Sequence, residues 1–417
     1  MSSSEKSKAR VLERIGKEKK QLTKLCSDLI KIQTENPPGD TTELAGYLKD
    51  RLANFGFRVR TFEPRRKMPN LVASYGHTQV KNLVLCAHMD VFPAGPGWSF
   101  PPFSGRRTKG HILGRGSVDM KAGLAASVYA FELLAQLEQV LNGGLTIALV
   151  SDEETMGRWG AEWLLKRVPE VRGDACLIGE PGGTDVITIG EKGIWWFKLT
   201  VTGTTAHAAY GAGENAIAKL CNAIAGLEEL KRLRGRTPYE LKRIVAAQKK
   251  IIESKYWRGT SKALDHLTLN LGLVEGGLKI NLVPPRCEAS FDARLPIGLT
   301  TDELERRVKT KLNSASIKGT SIDTIFSINA AYTSPSHSFV EVTKKNVRLI
   351  TERDPKLFFR LGSTDAKFFR RFGIPSVTYG PSPRRMGERD EYVKVNELIT
   401  TTKVHAGIAL DYLSNSE

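Results

Sequence analysis

The residues best placed to do chemistry in this 417-residue chain are one histidine and a set of carboxylates at the ends of short apolar runs. The run from Asn82 to Ala87 is short enough for one buried strand. His88 and Asp90 follow it two residues apart, on the same side of an extended chain. A glycine- and proline-rich loop then leads to Gly116-Ser117-Val118-Asp119-Met120-Lys121, with Asp119 just ahead of an alanine-rich helix from Ala122 to about Leu137. A second run, Leu145 to Val150, ends in Ser151-Asp152-Glu153-Glu154, and a third, Ala175 to Gly179, ends in Glu180-Pro181. Taken singly, His88 and Asp90 could merely end a strand and Asp119 merely cap a helix. Taken together, parallel strands ending side by side would converge them on one rim, where open α/β sheets hold their sites. Crowded carboxylates repel one another unless a cation lies among them. A mixed histidine and carboxylate set suits zinc, cobalt or manganese better than calcium.

The elements that must position these groups follow from periodicity. One amphipathic helix is expected over about 5–33, with Leu22, Cys26, Leu29 and Ile30 as its buried stripe. Asn36-Pro37-Pro38-Gly39 ends it, and Asp40 with Glu43 forms a capping box for a second helix that stops at Gly56. Phe57 to Phe62 and Asn70 to Tyr75 alternate as strands, and a helix covers about 160–167. This alternation implies an α/β sheet with helices on both faces. From Gly193 the character changes. Strands at 195–202, 267–273, 286–295 and 322–328, with helices at 215–233, 238–255 and 301–312, suit a small inserted α+β unit. Beyond about 330 the α/β style returns, with a helix from Phe339, the turn Gly362-Ser363-Thr364-Asp365, a strand at 376–379 and a closing helix from Asn396. The expected organisation is a catalytic domain in two parts, 1–192 and 330–417, around an insert at 193–329.

Composition sets bounds. Hydrophobic residues are 41% and charged residues 26%, ordinary for a soluble globular protein. No apolar run nears the roughly 20 residues that span a bilayer, and the N-terminus lacks an apolar signal core, so a cytoplasmic location without membrane attachment is expected. The five cysteines (Cys26, Cys86, Cys176, Cys221 and Cys287) are scattered and read as reduced core thiols. The net charge of +17 raises anionic partners. Much of it sits in 1–25 and 228–262, neither of which carries a nucleic-acid motif, so solvated helix faces are expected and no specific nucleic acid.

The strings AHMDV, GRGSVDMKAG, SDEE and GEP, in that order, resemble the dinuclear-zinc amidohydrolase and peptidase family of acetylornithine deacetylase, succinyl-diaminopimelate desuccinylase, aminoacylase-1 and glutamate carboxypeptidase. The likeness runs from NPPG at 36 to DEYV at 390. It implies a catalytic domain with a mixed, mostly parallel sheet and an inserted, ferredoxin-like lid that mediates homodimerisation. It implies a hydrolase acting on the amide bond of an N-acyl amino acid or dipeptide with a free carboxylate. By the resemblance, His88 and Glu180 are ligands of one metal, Asp119 bridges two, and Glu154 binds the second. Asp90 would orient His88 through its other ring nitrogen. Glu153 would be the general base, moving a proton from the attacking water to the leaving amine. Thr204-Thr205-Ala206-His207-Ala208 is similar to the family segment whose histidine reaches a partner subunit's site and stabilises the oxyanion. Asn281 and Arg294 resemble lid positions that contact substrate, and Gly362, Ser363 and Thr364 the loop that holds its carboxylate.

One element departs from the pattern. The family's fifth ligand, a histidine four residues before the Glu of the DEY-like motif Asp390-Glu391-Tyr392, falls on Gly387, which has no donor atom. His405 lies too far along, on the closing helix, and reads as structural. Three readings stay open: a second site completed by water or Glu388, an enzyme with one tight metal, or a degenerate relative that binds such ligands without hydrolysis. The presence of both Asp90 and Glu153 argues against the last. One tight site and a weak or altered second site are the expectation.

Overall fold

The structure is a computed structural model and describes residues 3–136, 141–255 and 259–414. The chain forms two compact units, one of Met1–Ile189, Tyr332–Phe358 and Thr364–Glu417, the other of Gly190–Ala331 and Phe359–Ser363.

The first unit is built on a nine-stranded sheet whose centre is Asn82–His88, with all seven residues buried. Gly144–Val150 and Ala175–Ile178 flank it in parallel, and Ser376–Thr378 runs parallel to Ala175–Ile178. These four strands are buried throughout, and their near-continuous apolar sequences are what parallel strands covered on both faces require. Outside them the sheet turns antiparallel: Asn70–Gly76 pairs so with Gly144–Val150, and Val186–Glu191 with Ser376–Thr378. The sheet is thus mixed, with parallel pairings at its centre.

Helix Lys121–Ala135 packs on Asn82–His88, on Gly144–Val150 and on the closing helix Val395–Ser414. Its expected last residue, Leu137, lies outside the described residues. Gly123 meets Gly179 back to back, and a Cβ at 123 would fall 1.9 Å from the Gly179 carbonyl oxygen. Only glycine lets this helix approach the strand end that carries Glu180.

Several expectations need correction. The N-terminal helix is two helices, Ser3–Lys17 and Lys19–Lys31, broken at Glu18, whose side chain accepts from Arg14 Nε at 2.8 Å and Tyr129 Oη at 2.5 Å. The next helix, Thr42–Asn54, has Thr41 rather than Asp40 at its N-cap, and no capping box forms. Thr41 Oγ1 is instead bonded to Ser151 Oγ at 2.7 Å. A small sheet of Arg106–Thr108, His111–Leu113 and Tyr392–Lys394 was not foreseen. All five cysteines are free, and four are buried, but Cys221 is exposed.

The second unit is a four-stranded antiparallel sheet in the order Thr268–Gly276, Arg286–Leu295, Gly193–Thr202, Thr320–Ile328. Helices Ala216–Glu228 and Thr301–Ser314 pack against the sheet and each other, over a core that includes Trp195, Phe197, Phe291, Leu220 and Leu304. The basic helix Tyr239–Lys255 turns Lys242, Arg243 and Lys250 to solvent. On its other side Gln248 is buried. Its amide nitrogen donates to the Phe359 carbonyl at 2.7 Å, and its amide oxygen accepts from the Phe359 N–H at 2.8 Å.

Candidate active site

Strand register brings the first groups level. Cys86 pairs with Ile178 and His88 with Val150. Glu180, two residues past Ile178, therefore comes abreast of His88, and Ser151 to Glu154 turn away just beyond Val150. Asp119 arrives from the loop ahead of helix Lys121–Ala135, where Met120 Sδ accepts from the His88 N–H at 3.2 Å.

His88, Asp119 and Glu180 are buried, and one potential ligand atom from each lies within 4.8 Å of the others. His88 Nε2 is 3.3 Å from Asp119 Oδ1 and 3.3 Å from Glu180 Oε1. Its Nδ1 is 2.9 Å from the Asp90 carbonyl oxygen. A carbonyl can only accept, so Nδ1 carries the proton, and in the neutral ring Nε2 turns a lone pair toward two carboxylates. That arrangement calls for a positive charge at Nε2. Without a cation the ring itself must supply it: burial opposes the imidazolium, but bonding to Asp119, Asp90 and Glu180 raises the His88 pKa well above its ordinary value. A tetrahedral zinc with bonds of about 2.0–2.1 Å would set its ligand atoms about 3.3 Å apart. The two measured separations fit such an ion.

Asp90 does more than the sequence reading gave it. Its carbonyl, rather than its carboxylate, makes the close contact to His88, the carboxylate oxygen lying 3.5 Å from Nδ1. The carboxylate accepts from Asn36 Nδ2 at 2.8 Å and from the N–H groups of Glu153 at 3.3 Å and Glu154 at 3.1 Å. It therefore seats the turn that presents both glutamates. Burial pushes the Glu153 and Glu154 carboxyls well above the usual range; Lys367 pulls Glu153 down, and Asp119 pushes Glu154 further up. Glu154 Oε1 is buried with no hydrogen-bond partner, an orphan that a second cation beside Asp119 would satisfy.

Glu391, Arg115 and Lys367 escaped the sequence reading. Glu391 is fully buried and accepts from Arg115 Nη1 at 2.6 Å and from the N–H groups of Gly116, Val118 and Asp119 at 3.2, 2.7 and 3.2 Å. It clamps the loop that delivers Asp119. Arg115 Nη2 reaches on to the Gly387 carbonyl at 3.0 Å. Gly387 is itself exposed, at φ 74°. The one available signal was the DEY-like motif, which served only to count back to Gly387.

His207, Asn281, Arg294, Gly362 and Ser363 belong to the second unit, and Thr364 to the first. His207 is exposed, and the bridge between it and Leu282 sets Asn281 beside it, the Asn281 amide lying 3.5 Å from His207 Nε2. His207 Nδ1 accepts from the Ala209 N–H at 3.2 Å, which leaves the proton on Nε2. Arg294 is held by Asp292 through two bonds, at 2.8 and 3.1 Å. Ser363 Oγ has no hydrogen-bond partner, while Thr364 Oγ1 accepts from the Ala366 N–H at 3.1 Å.

The family model of Peptidase family M20/M25/M40 matches residues 84–411. The chain belongs to this family. Succinyl-diaminopimelate desuccinylase of Marinobacter nauticus is 28% identical over 401 residues, covering 94% of this chain and 98% of its own. The M20 family metallo-carboxypeptidase Sso-CP2 of Sulfolobus solfataricus superposes with a TM-score of 0.78 at 20% identity, over 93% of this chain and 98% of that one. The Bacillus subtilis YXEP protein, a dinuclear metal-binding M20 peptidase, does so with 0.68 at 12% identity, over 95% and 99%. The two structures speak for the fold. As an M20 protein the chain is a metal-binding hydrolase of amide bonds, and these likenesses lend no support to a degenerate binding protein. Among the described residues no helix is long and apolar enough to cross a membrane.

Proposed function

We propose that this M20 hydrolase cleaves the amide bond of an N-acyl amino acid or dipeptide that keeps a free carboxylate, with Glu153 as general base. One observation carries the reading: His88 Nε2 faces Asp119 and Glu180 at 3.3 Å each, with Glu153 and Glu154 presented from the neighbouring strand end. The desuccinylase name of its curated relative supports the acyl-amino-acid type.

His88, Asp119 and Glu180 would hold one divalent cation, and Asp119 with Glu154 a second; zinc, cobalt and manganese suit these donors. A cation there acts as a Lewis acid, acidifying water and polarising the amide carbonyl. Asp90 fixes the His88 ring and the Glu153–Glu154 turn. Glu153 takes the proton of the attacking water and returns it to the departing amine. His207, protonated on Nε2, donates to the developing oxyanion. Asn281, Arg294 and the Gly362–Thr364 loop would receive the substrate, with Ser363 Oγ, buried and unbonded by the protein, as one donor for its carboxylate.

Turnover of a panel of acyl-amino acids and dipeptides with zinc, cobalt or manganese tests this. Glu153→Gln should keep the metal and lose about 10²- to 10⁴-fold in kcat. Unchanged kcat in that variant would remove Glu153 from the role.

We propose further that one metal is tight and the second weak, because Gly387 offers no donor where the family pattern has histidine. Metal analysis after dialysis should find one equivalent per chain; two would show that another group, such as Glu388, completes the second site. The chain would act as a homodimer through its lid, a reading supported by Leu273, Val274, Leu278 and Ile280, exposed on and just after the edge strand Thr268–Gly276. A reducing, cytoplasmic setting suits five unpaired cysteines.

A further inference from the structure

We infer that Lys367 is a positioning residue for the general base: its buried ammonium holds the Glu153 carboxylate where it can receive a proton from water. The inference rests on the reading of Glu153 as base. Lys367 sits on the short helix Ala366–Arg371, which the Gly362–Asp365 turn brings to the strand end that carries Glu153. It is 2% exposed, so it does not present its charge to a ligand from solvent. Its Nζ donates to the Thr364 carbonyl at 3.1 Å and lies 4.6 Å from the centroid of the Phe368 ring. Those contacts fix the ammonium before any substrate arrives. Glu153 Oε1 is 3.7 Å away, with side-chain exposures of 2% for Lys367 and 11% for Glu153.

That separation decides the role. At 3.7 Å the pair attracts by charge without a hydrogen bond, so the Glu153 oxygen keeps its lone pair free for an incoming proton. The surroundings explain the need. Glu180 and Asp365 both repel the Glu153 carboxylate, and Lys367 is the strongest opposing charge upon it. A carboxylate crowded by its own kind would swing away, and the buried ammonium prevents this. Lys367 in turn is costly to bury without an anion, a need that Glu153 meets together with Asp365, which the same ammonium also draws.

The test uses the metal-loaded full chain for kinetics and the metal-free chain for stability. Lys367→Met removes the charge, and Lys367→Gln removes it while keeping a donor for Thr364. Each is expected to lower kcat about a hundredfold with KM within about twofold of the parent, because the substrate is not touched. In urea unfolding, Lys367→Met should shift the midpoint markedly in the parent and much less when Glu153→Gln is already present, the mark of direct coupling. Wild-type kcat in Lys367→Gln would overturn the inference, as would a rise in KM alone or equal midpoint shifts in both backgrounds. The underlying reading fails separately, if Glu153→Gln itself retains kcat.

Discussion

At the scale of single residues, the side chain with most leverage on the metal loop stands outside the ligand set. Glu391 gathers three backbone N–H groups and a buried guanidinium, and one of those N–H groups is that of Asp119. Glu391→Gln would leave Arg115 buried without its anion, at a cost of about 3 kcal/mol. Both lower stability and weaker metal retention are expected, read by denaturant midpoint and by metal content after dialysis. Gly387 makes the opposite case. Nothing closer than Phe92 Cδ2 at 3.9 Å crowds a Cβ there, yet its φ of 74° disfavours any side chain. Gly387→Ala should therefore cost about 1 kcal/mol through the backbone alone, measurable by the same denaturant curves. The candidate cluster of His88, Asp119 and Glu180 was legible in the sequence because metal chemistry favours histidine and carboxylates, and these fall at or near strand ends. Glu391, Arg115 and Lys367 were not, because their roles exist only once distant segments meet. Nothing local in DEYV says that its glutamate faces Gly116 to Asp119.

Among the elements, the closing helix Val395–Ser414 carries a titratable group far from the chemistry. His405 is fully buried, its Nε2 2.9 Å from the Tyr379 carbonyl and its Nδ1 3.2 Å from Ser127 Oγ. The carbonyl fixes the proton on Nε2, and Ser127 donates to Nδ1, so the neutral ring satisfies both partners. Burial holds its pKa down to about 4. The unfolded chain then binds the proton more readily, near 6.5, so this contribution is whole above that pH and is lost as pH falls toward 4. The full window corresponds to about 3 kcal/mol. His405→Asn should flatten the acid limb of the stability curve between these values, as thermal midpoints against pH will show. Elements were legible where burial was extreme: Asn82–His88 and Gly144–Val150 are apolar because both faces are covered. The three-residue strands of the small sheet were invisible, since Arg106–Thr108 is exposed throughout and Tyr392–Lys394 pairs with a segment remote in sequence. The break at Glu18 was hidden for a related reason: of the groups that hold its side chain, Arg14 is local but Tyr129 is 111 residues away, and Gly16 two residues ahead was the one local sign of a weak turn.

For the whole molecule, the proposed homodimer makes a prediction that no single chain can satisfy. If His207 of one chain serves the Glu153 of another, mixing inactive His207→Ala protein with inactive Glu153→Gln protein should restore partial activity in hybrid dimers. No rescue, with subunit exchange verified, would dispose of the shared site. The basic stretch at 228–262 reads in sequence as solvated helix faces. Gln248 gives it another meaning, since its amide meets the N–H and carbonyl of Phe359 as a neighbouring strand would. Phe359 lies in Lys356–Arg360, a strand whose other side pairs with Val186–Glu191. A side chain thus closes a backbone edge that would otherwise recruit foreign chains. Trimming this helix to make a smaller enzyme would uncover the Phe359 N–H and carbonyl, and the shortened protein is expected to trade length for solubility.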